Sequence, residues 1–443
     1  MSGSAKYEIV ERDEAGIITT TYLASGGSRL DVIRPKDSKS YAQHVLDVFL
    51  PAGYPQSVTE DYIQYQIYDS LQAFSSSIAG MLASRAVLEG VGVGDASASP
   101  TAALLLSVLQ ESMGRIATIL FAHRLGTALE PECKMYRLAA DIFNDTAMIL
   151  DCLSPAFPKP VRVLVLGCSS ILRSLCGVCA GSAKASLSAH FAKKGNLGEV
   201  NAAGSVVVSW VSTPFATWST LIALLSIHLA TNYAAVKAVS MRCLNRQRAN
   251  IVFSSILEHG EVLSPSAVSK RERVFERDGV LRWGSDEIVG HCRIGVPLHT
   301  LLSRFGRRHT LTGSLDLQRI KLSELLDIFA DEAYILWPAS SDYEALIVLK
   351  GGCTPIDQLK AWAHALLLAR KWRPGRVPGA KQDDGDASLI TARLAEMRRT
   401  LKDTQQLFTK HAGALRDKGW DLNVAVLETR AGTRAEMGSI RKS

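Results

Sequence analysis

Aromatic side chains are scarce in this sequence. They make up 7% of its 443 residues and are not interleaved with the lysines and arginines, although the formal net charge is +7. Proteins that bind single-stranded nucleic acids place aromatic side chains among basic ones, so the absence of this pattern argues against a nucleic-acid partner. The positive charge instead favours an anionic surface such as lipid headgroups.

Patterns typical of metal sites, cofactor sites and catalysis are also missing. The eight cysteines include Cys176 and Cys179 in "CGVC", but no second pair stands at zinc-site spacing, so we expect free thiols in a reducing compartment. The run "GVGVG" at Gly90–Gly94 does not complete a dinucleotide-binding G-x-G-x-x-G. His190 and His228 have no second ligand at helical spacing, and no nucleophile motif is present. We therefore expect no metal, no cofactor and no enzymatic activity.

A long stretch has almost no charge. Between Glu199 and Lys237 the only acidic or basic side chain is His228. A membrane-spanning helix needs about 20 predominantly apolar residues, so at least one fits here. The four cations from Lys237 to Arg248 form a positive flank that predicts a cytosolic or matrix side for the C-terminal half.

Two further apolar runs, 101–122 and 161–180, are long enough to span a membrane but carry charges. Glu111 and Arg115 are four residues apart in the order that favours a helical ion pair. Charges at bilayer depth are costly, so either run could be a core helix of a soluble bundle. The first residues lack the apolar core of a signal peptide and are too acidic for a transit peptide. We expect a membrane location and no such leader, with the organelle unassigned.

The composition changes along the chain, and it predicts a mostly α fold. A helical, membrane-associated N-terminal domain is followed by a small α+β domain. The segments are a polar lead-in with short strands such as "GIITTTYL" at 1–60, the helical domain at 61–264, the α+β domain at 265–430, and a disordered tail at 431–443.

The α+β domain has local signals for each element. "AYILWP", "YEALIVLK" and a last segment "LNVAVLET" read as strands. A helix follows Thr354 as its N-cap, with Pro355 in its first turn, and a long helix is expected from about Leu389 to Asp417.

The stretch "KMYRLAADIFNDTAMILD" carries a narrow polar stripe on an otherwise apolar helix. At 100° per residue, five polar side chains fall within an arc of roughly 100°. They are Lys134, Arg137, Asp141, Asn144 and Asp145. The stripe is either a self-neutralising seam that locks the helix against its neighbours, or the lining of a cavity to which His228 and Asn232 of a later helix also contribute.

Four stretches resemble a known family. They are "GVGVGDASASPTAA", "GRIATILFAHRLGTALEPECKMYRLAADIFNDTAMILD", "AGSAKASLSAHFAKKGNLGEVNA" and "HLATNYAAVKAVSMRCLNRQRANIV". From about residue 62 to 264 the chain is similar to the Root UVB sensitive family, a eukaryotic family named for a plant ultraviolet-B seedling phenotype. The resemblance implies a membrane protein without an established catalytic activity. Plant members are linked to plastids, auxin transport and vitamin B6 homeostasis.

The resemblance is carried by particular residues. The matching positions are Arg137, Asp141, Asn144 and Asp145 in "R-x-x-A-D-[IL]-x-N-D", Gly114 and Arg115 in "GR", Asn196 and Val200 to Ala202 in "N-x-[AG]-[DE]-V-x-A", and His228, Asn232 and Tyr233 in "H-x-x-[AT]-N-Y". Glu111 stands where members often have Asp. After "VNA" the family usually continues with Lys, Ser and Gln, but this chain has "AGSVVVSW", so a site that includes that element would be altered here.

Two functional hypotheses remain. In the first, the helical domain binds or moves a small anionic metabolite such as a B6 vitamer. In the second, the chain is a membrane-associated scaffold, as a homo-oligomer or as a hetero-oligomer with a family paralogue, and the polar stripe is structural. The candidate ligand-binding or polar-network residues are Glu111, Arg115, Arg137, Asp141, Asn144, Asp145, His228 and Asn232.

Overall fold

The computed structural model describes most of the chain. The described residues are 7–12, 18–24, 30–33, 50–51, 54–55, 57–92, 99–192, 213–305, 307–308, 315–316, 322–338, 344–372, 386–424, 426–430 and 432–436. Several sequence-based interpretations lie outside them: the end of the glycine run after Gly92, the motif around Asn196, and the divergent "AGSVVVSW".

Helices dominate the described residues, so the expected mostly α fold is confirmed. The helices are α1 (Tyr62–Val91), α2 (Pro100–Leu125), α3 (Cys133–Leu153), α4 (Lys159–Phe191), α5 (Pro214–Ala238), α6 (Arg246–His259), α7 (Pro265–Arg271), α8 (Leu298–Leu302), α9 (Leu322–Ile328), α10 (Pro355–Lys371) and α11 (Asp386–Asp417).

The strands among the described residues form three small sheets. They are β1 (Tyr7–Arg12), β2 (Ile18–Ala24), β3 (Leu30–Ile33), β4 (Val280–Trp283), β5 (Glu287–Ile294), β6 (Arg307–Arg308), β7 (Leu315–Asp316), β8 (Tyr334–Pro338), β9 (Glu344–Lys350) and β10 (Arg434–Ala435). The N-terminal sheet is antiparallel in the order β1-β2-β3, and β6 pairs with β7. The C-terminal sheet is mixed, because β9 pairs antiparallel with β8 and parallel with both β5 and β10, and β4 is antiparallel to β5.

The chain divides into two compact units. The first comprises residues 1–98, 148–165 and 184–238, and the second comprises residues 99–147, 166–183 and 239–443. In the first unit α1 and α5 pack along each other through small and branched side chains, among them Ala79, Leu82 and Leu221, which are almost fully buried. The boundaries at 60, 264 and 430 expected from composition stay predictions.

The second unit contains the largest hydrophobic core. The C-terminal sheet and the helices α6, α10 and α11 enclose it, with Phe253, Tyr334 and Trp362 fully buried at its centre. A smaller cluster joins Tyr136 and Ala140 of α3 to Cys179 of α4. The groove and the buried cluster of charges described below both lie in this second unit.

Most elements expected in the C-terminal part are confirmed. β8 and β9 form where expected, and α10 begins after Thr354, whose hydroxyl accepts from the Asp357 N–H while the Asp357 carboxylate accepts from the Thr354 N–H in a capping box. The strand expected at "LNVAVLET" is wrong for its described residues, 422–424 and 426–429: Leu422 and Leu427 pack into the core, and these residues join no ladder. Disorder from residue 431 is wrong for Arg434 and Ala435, since β10 pairs with β9.

Among the described residues, three helices are long and apolar enough to cross a membrane. They correspond to Ala103–Ala128, Lys159–Phe191 and Pro214–Ala238. They include both of the charged apolar runs that the sequence left open, and the helix in the uncharged stretch begins at Pro214. Arg162 lies near the start of α4 and donates hydrogen bonds to the carbonyl oxygens of Gly90 and Phe157. Its guanidinium group therefore has hydrogen-bond acceptors close to the end of the helix.

Candidate functional site: a polar groove between two apolar helices

A groove with polar walls lies between α2 and α4. Its volume is about 690 Å³. The lining residues are Ser107, Gln110, Glu111, Arg115, Thr118 and Ile119 of α2, and Ser170 and Ser174 of α4. Both helices are apolar enough to span a membrane, so this groove places hydrogen-bonding groups within an apolar surface.

Small residues allow the two helices to approach each other. A Cβ atom on the buried Gly114 would overlap Ser174 Oγ and would lie 3.3 Å from Ser170 Oγ. The Ser170 hydroxyl donates to the carbonyl oxygen of Gln110 (2.7 Å), which ties α4 to α2. On α4, a Cβ on Gly167 would come within 2.9 Å of Met113 Sδ. Close contact through glycine and serine is typical of helix pairs in membranes.

Glu111 and Arg115 form an ion pair in this groove. Arg115 Nη2 lies 2.5 Å from Glu111 Oε1, as expected for a favourable pair four residues apart on a helix. The two side chains remain 76% (Arg115) and 63% (Glu111) exposed, so a ligand can reach both charges. The first two residues of the sequence-based candidate site are therefore together and accessible.

The polar stripe of α3 is a buried seam. Arg137 Nη1 lies 2.9 Å from Asp141 Oδ1, and these side chains are 12% and 6% exposed. Asp145 is 4% exposed and Asn144 is half-buried on the same helix. None of these side chains lines the groove described above. The pair between Arg137 and Asp141 supports the structural interpretation of the stripe, because a buried charge requires a partner.

His228 and Asn232 lie on α5 in the other compact unit and are fully buried. The Gln72 side-chain amide nitrogen lies 2.8 Å from His228 Nε2, within hydrogen-bond distance. Gln72 belongs to α1, which packs along α5. This contact joins two helices of the first unit through a buried polar pair.

A buried cluster of charges was missed by the sequence analysis. Glu272 lies between two cations: its carboxylate is 2.7 Å from Lys134 Nζ and 2.7 Å from Arg248 Nη1, and all three side chains are at most 7% exposed. Burial alone would raise the pKa of Glu272, but the charges of Arg248 and Lys134 hold this pKa below its ordinary value. Lys134 therefore binds Glu272 and does not pair within the α3 stripe.

The start of α6 supplies the rest of this cluster. Asn245 caps the helix by accepting from the Arg248 N–H (2.9 Å), and its side-chain amide donates to Glu132 Oε2 (3.2 Å). Burial raises the pKa of Glu132 to about 7. Arg246 donates to the carbonyl oxygen of Leu427 (2.6 Å). Two arginines of the flank that the sequence suggested, Arg246 and Arg248, are thus buried in protein, whereas Arg242 is exposed. The only sequence signal for this burial was the density of polar residues in "NRQRAN".

The described side chains do not form a metal centre. No group of three or more His, Cys, Asp or Glu residues among the described residues is placed to hold a metal ion. All eight cysteines are free thiols, including the half-buried Cys176 and the buried Cys179. The side chains that line the groove can donate and accept hydrogen bonds and can form ion pairs.

Comparisons with known proteins agree with these motifs. A family model described as "Vitamin B6 photo-protection and homoeostasis domain" matches residues 35–260. "RUS family member 1" of Dictyostelium discoideum is 37% identical over 293 residues, which are 60% of this chain and 55% of that protein. "Protein root UVB sensitive 3" of Arabidopsis thaliana is 31% identical over 369 residues, which are 79% of this chain and 80% of that protein.

A more distant relative is "Protein root UVB sensitive 2, chloroplastic" of Arabidopsis thaliana, which is 24% identical over 353 residues, covering 76% of this chain and 75% of that protein. No solved structure matches the chain. The match to the Dictyostelium protein spans about half of that protein's length. Since the family model covers half of the chain and the Arabidopsis relative aligns over four-fifths of both sequences, this chain belongs to the Root UVB sensitive family.

Proposed function

We propose that this chain is a membrane protein and that the groove between α2 and α4 binds a small anionic metabolite. The observation that carries the proposal is the exposed ion pair of Glu111 and Arg115, which lines the groove of about 690 Å³ on helices that are predominantly apolar. An accessible charge pair in a concave site is the usual chemistry of a polar ligand site.

The apolar surface of α2 supports the membrane location. Six of its apolar side chains are more than half exposed: Leu104, Leu105, Val108, Ile116, Ile119 and Leu120. Removing such apolar surface from water is favourable by about 25 cal/mol per Å². In water these side chains would forgo this gain. A contiguous apolar helix face marks contact with lipid or with another protein, and lipid acyl chains would cover it without a specific partner.

The groups in the groove indicate what kind of ligand fits. The Arg115 guanidinium can donate two hydrogen bonds to a phosphate or carboxylate. When Arg115 binds the anionic group of the ligand and no longer pairs with Glu111, the Glu111 carboxylate can accept a hydrogen bond from a protonated nitrogen of the ligand. The Ser170 and Ser174 hydroxyls already donate to backbone carbonyls, so they can act as acceptors. The arrangement suits a small molecule that has both an anion and a hydrogen-bond donor.

A phosphorylated B6 vitamer has this combination, because it carries a phosphate and a ring nitrogen that can be protonated. The description of the matching family model, which names vitamin B6 photo-protection and homoeostasis, supports this choice of ligand. None of the names of the relatives given above describes a catalytic activity. Binding or movement of such a metabolite, without its conversion, is therefore the function that we propose.

A scaffold is the second candidate, and the seam of α3 favours it. Arg137 and Asp141 pair with each other in a buried setting, so they need no ligand for their charges. In this alternative the exposed face of α2 would contact a second copy of the chain or a family paralogue within the membrane, and the groove would be filled by the partner. The two candidates differ in whether the detergent-purified chain retains a small molecule.

The test combines carbonate extraction with native mass spectrometry of the detergent-purified chain titrated with pyridoxal 5′-phosphate. We expect the chain to stay in the membrane pellet and to bind the vitamer. Arg115→Gln should weaken binding roughly 10- to 100-fold, since a hydrogen bond to a charged group contributes about 1.5–3 kcal/mol. Arg85→Gln is the matched control, because Arg85 forms an exposed pair with Glu89 four residues away on α1, outside the groove.

Each outcome separates the parts of the proposal. Release of the chain by carbonate would overturn the membrane location. A chain that stays in the pellet but binds no vitamer, or binds it equally well with Arg115→Gln, would overturn the ligand site and leave the scaffold as the better account.

A further inference from the structure

A basic segment begins in the last turn of α7 and runs to the turn before β4. In residues 270–277, "KRERVFER", less exposed and exposed side chains alternate from Arg271 onward. Glu272 and Val274 are buried and Glu276 is half-buried, whereas Arg271, Arg273, Phe275 and Arg277 are exposed, as is Lys270 at the end of α7. We name residues 270–277 the basic ribbon.

The inward side chains hold the basic ribbon in place. Glu272 is fixed by Lys134 and Arg248, as described above. Glu276 accepts two hydrogen bonds from Arg282, at 2.8 Å from Nε and 3.0 Å from Nη2, and Val274 is 8% exposed. Because the inward residues are anchored on both sides of Phe275, the outward face is presented in a fixed orientation.

The outward face combines positive charge with one large apolar side chain. Phe275 is 51% exposed and is flanked in sequence by exposed arginines. Arg273 pairs with Asp286 (2.8 Å), but the Asp286 side chain is itself 88% exposed, so water screens this pair. Counting Lys270, Arg271, Arg273 and Arg277 against Asp286, the face retains a net positive charge.

The ribbon also has a defined position relative to α2. Its Glu272 contacts Lys134, which lies in the first turn of α3, and α3 follows α2 after the short connection 126–132. All of these residues belong to the same compact unit. If α2 crosses the bilayer, the ribbon therefore lies near the level at which α2 leaves the hydrocarbon region, where lipid headgroups begin.

We propose that the basic ribbon docks on the anionic headgroup layer of the membrane that α2 enters. The guanidinium groups bind lipid phosphates with charge-assisted hydrogen bonds, and Phe275 inserts at the boundary between headgroups and acyl chains. The charge and the exposed phenylalanine match this surface, whereas an acidic protein would not require an apolar side chain at the centre of the contact. This inference rests on the membrane location proposed above.

Hydrogen–deuterium exchange of the full chain in nanodiscs tests the proposal. The chain is compared in discs of phosphatidylcholine and in discs that also contain phosphatidylglycerol, and the readout is the peptide that covers residues 270–277. We expect exchange in this peptide to be several-fold slower in the anionic discs. The difference should disappear at high salt, because ions screen the attraction over a Debye length.

Variants show whether the ribbon side chains cause the effect. Arg271→Gln combined with Arg277→Gln should abolish the lipid-dependent slowing. Lys402→Gln combined with Lys410→Gln removes the same charge from exposed positions of α11 and should leave it intact. A third arm adds soluble glycerol phosphate to discs of phosphatidylcholine and should give no slowing.

The outcomes distinguish this inference from the function on which it rests. A chain that is not retained in nanodiscs would overturn both. A retained chain whose ribbon exchanges equally in the two kinds of disc would overturn the ribbon alone. Equal slowing by soluble glycerol phosphate, or full slowing in the double arginine variant, would also overturn it, since docking would then not be to a membrane or not through these side chains.

Discussion

Glu272 is buried between Lys134 and Arg248, which reach it from two different helices. A buried ion pair contributes little net stability compared with a well-packed apolar core, but removing one partner leaves a buried charge without compensation. Here one carboxylate compensates two buried cations, so its loss removes that compensation from both of them. Glu272 therefore stabilises the fold mainly because, without its carboxylate, two buried cations would be left without this partner.

Glu272→Gln should lower the free energy of unfolding by about 3–5 kcal/mol, because the neutral amide cannot compensate two buried cations. Denaturant titration of the detergent-purified chain measures this change. Asp286→Asn is the control: it removes the carboxylate of an exposed pair with Arg273 and should change stability by less than about 0.5 kcal/mol. A similar small effect of both substitutions would contradict the importance of the buried cluster.

Glu132 gives the same cluster a pH dependence. Burial raises its pKa from 4.5 to about 7, so the folded chain binds a proton more tightly than the unfolded chain does. Stability from this group is present at low pH and is lost as the pH rises from 4.5 towards 7. Glu132→Gln should therefore match the wild type at about pH 4.5 and exceed its stability by up to about 3 kcal/mol above pH 7.

The measurement is the difference in unfolding free energy between the Glu132→Gln variant and the wild type at several pH values. Taking the difference cancels the titration of the histidines. A difference that stays constant across this pH range would show that Glu132 titrates normally in the folded chain.

Individual contacts could be predicted from the sequence only where the partners are close along the chain. The pairs of Glu111 with Arg115 and of Arg137 with Asp141 follow from helical periodicity, and both form. The partner of Lys134 is 138 residues away, and that of Asn245 is 113 residues away, so no local pattern indicates them. Such contacts depend on how helices and sheet pack.

At the scale of whole elements, the approach of α2 to α4 determines whether the groove exists. Gly114 lies where a side chain would meet the serines of α4. A branched side chain at this position must push the helices apart or force Ser174 into another rotamer, and the groove walls would move with it. Protein interiors tolerate such added volume poorly.

Gly114→Leu should lower the free energy of unfolding by about 1–3 kcal/mol and should weaken ligand binding in the groove, because the added side chain overpacks the contact between α2 and α4. Gly181→Leu is the matched control on α4, since a Cβ there meets no atom within 4 Å. Equal melting temperatures of the two variants would mean that α2 and α4 do not pack as described.

Elements could be predicted when their signals are local. Thr354, Pro355 and Asp357 define the start of α10 within four residues, and the helix forms there. "LNVAVLET" has a comparable local pattern, but a strand also needs an edge to pair with, and its apolar residues are accommodated in the core without one. The two-residue strand β10 is too short to leave any pattern.

The molecule as a whole contains apolar helices in two different settings. In the most apolar part of α2 only 6% of the residues are buried, whereas α10, with its run "AHALLLA", is almost entirely enclosed by the sheet and α11. The sequence predicts both helices but not the extent to which the protein covers each of them. That distinction depends on long-range packing.

A lipid-soluble diazirine photolabel should therefore modify α2 strongly and α10 hardly at all in native membranes. The label partitions into the acyl region, where the exposed leucines and isoleucines of α2 would lie, and it cannot enter the core around Trp362. Peptide mass spectrometry measures the two yields, and labelling after unfolding, which should reach both helices, provides the control. Equal labelling of α2 and α10 in the native state would contradict the membrane location, because α2 would then meet no more lipid than a helix buried in protein.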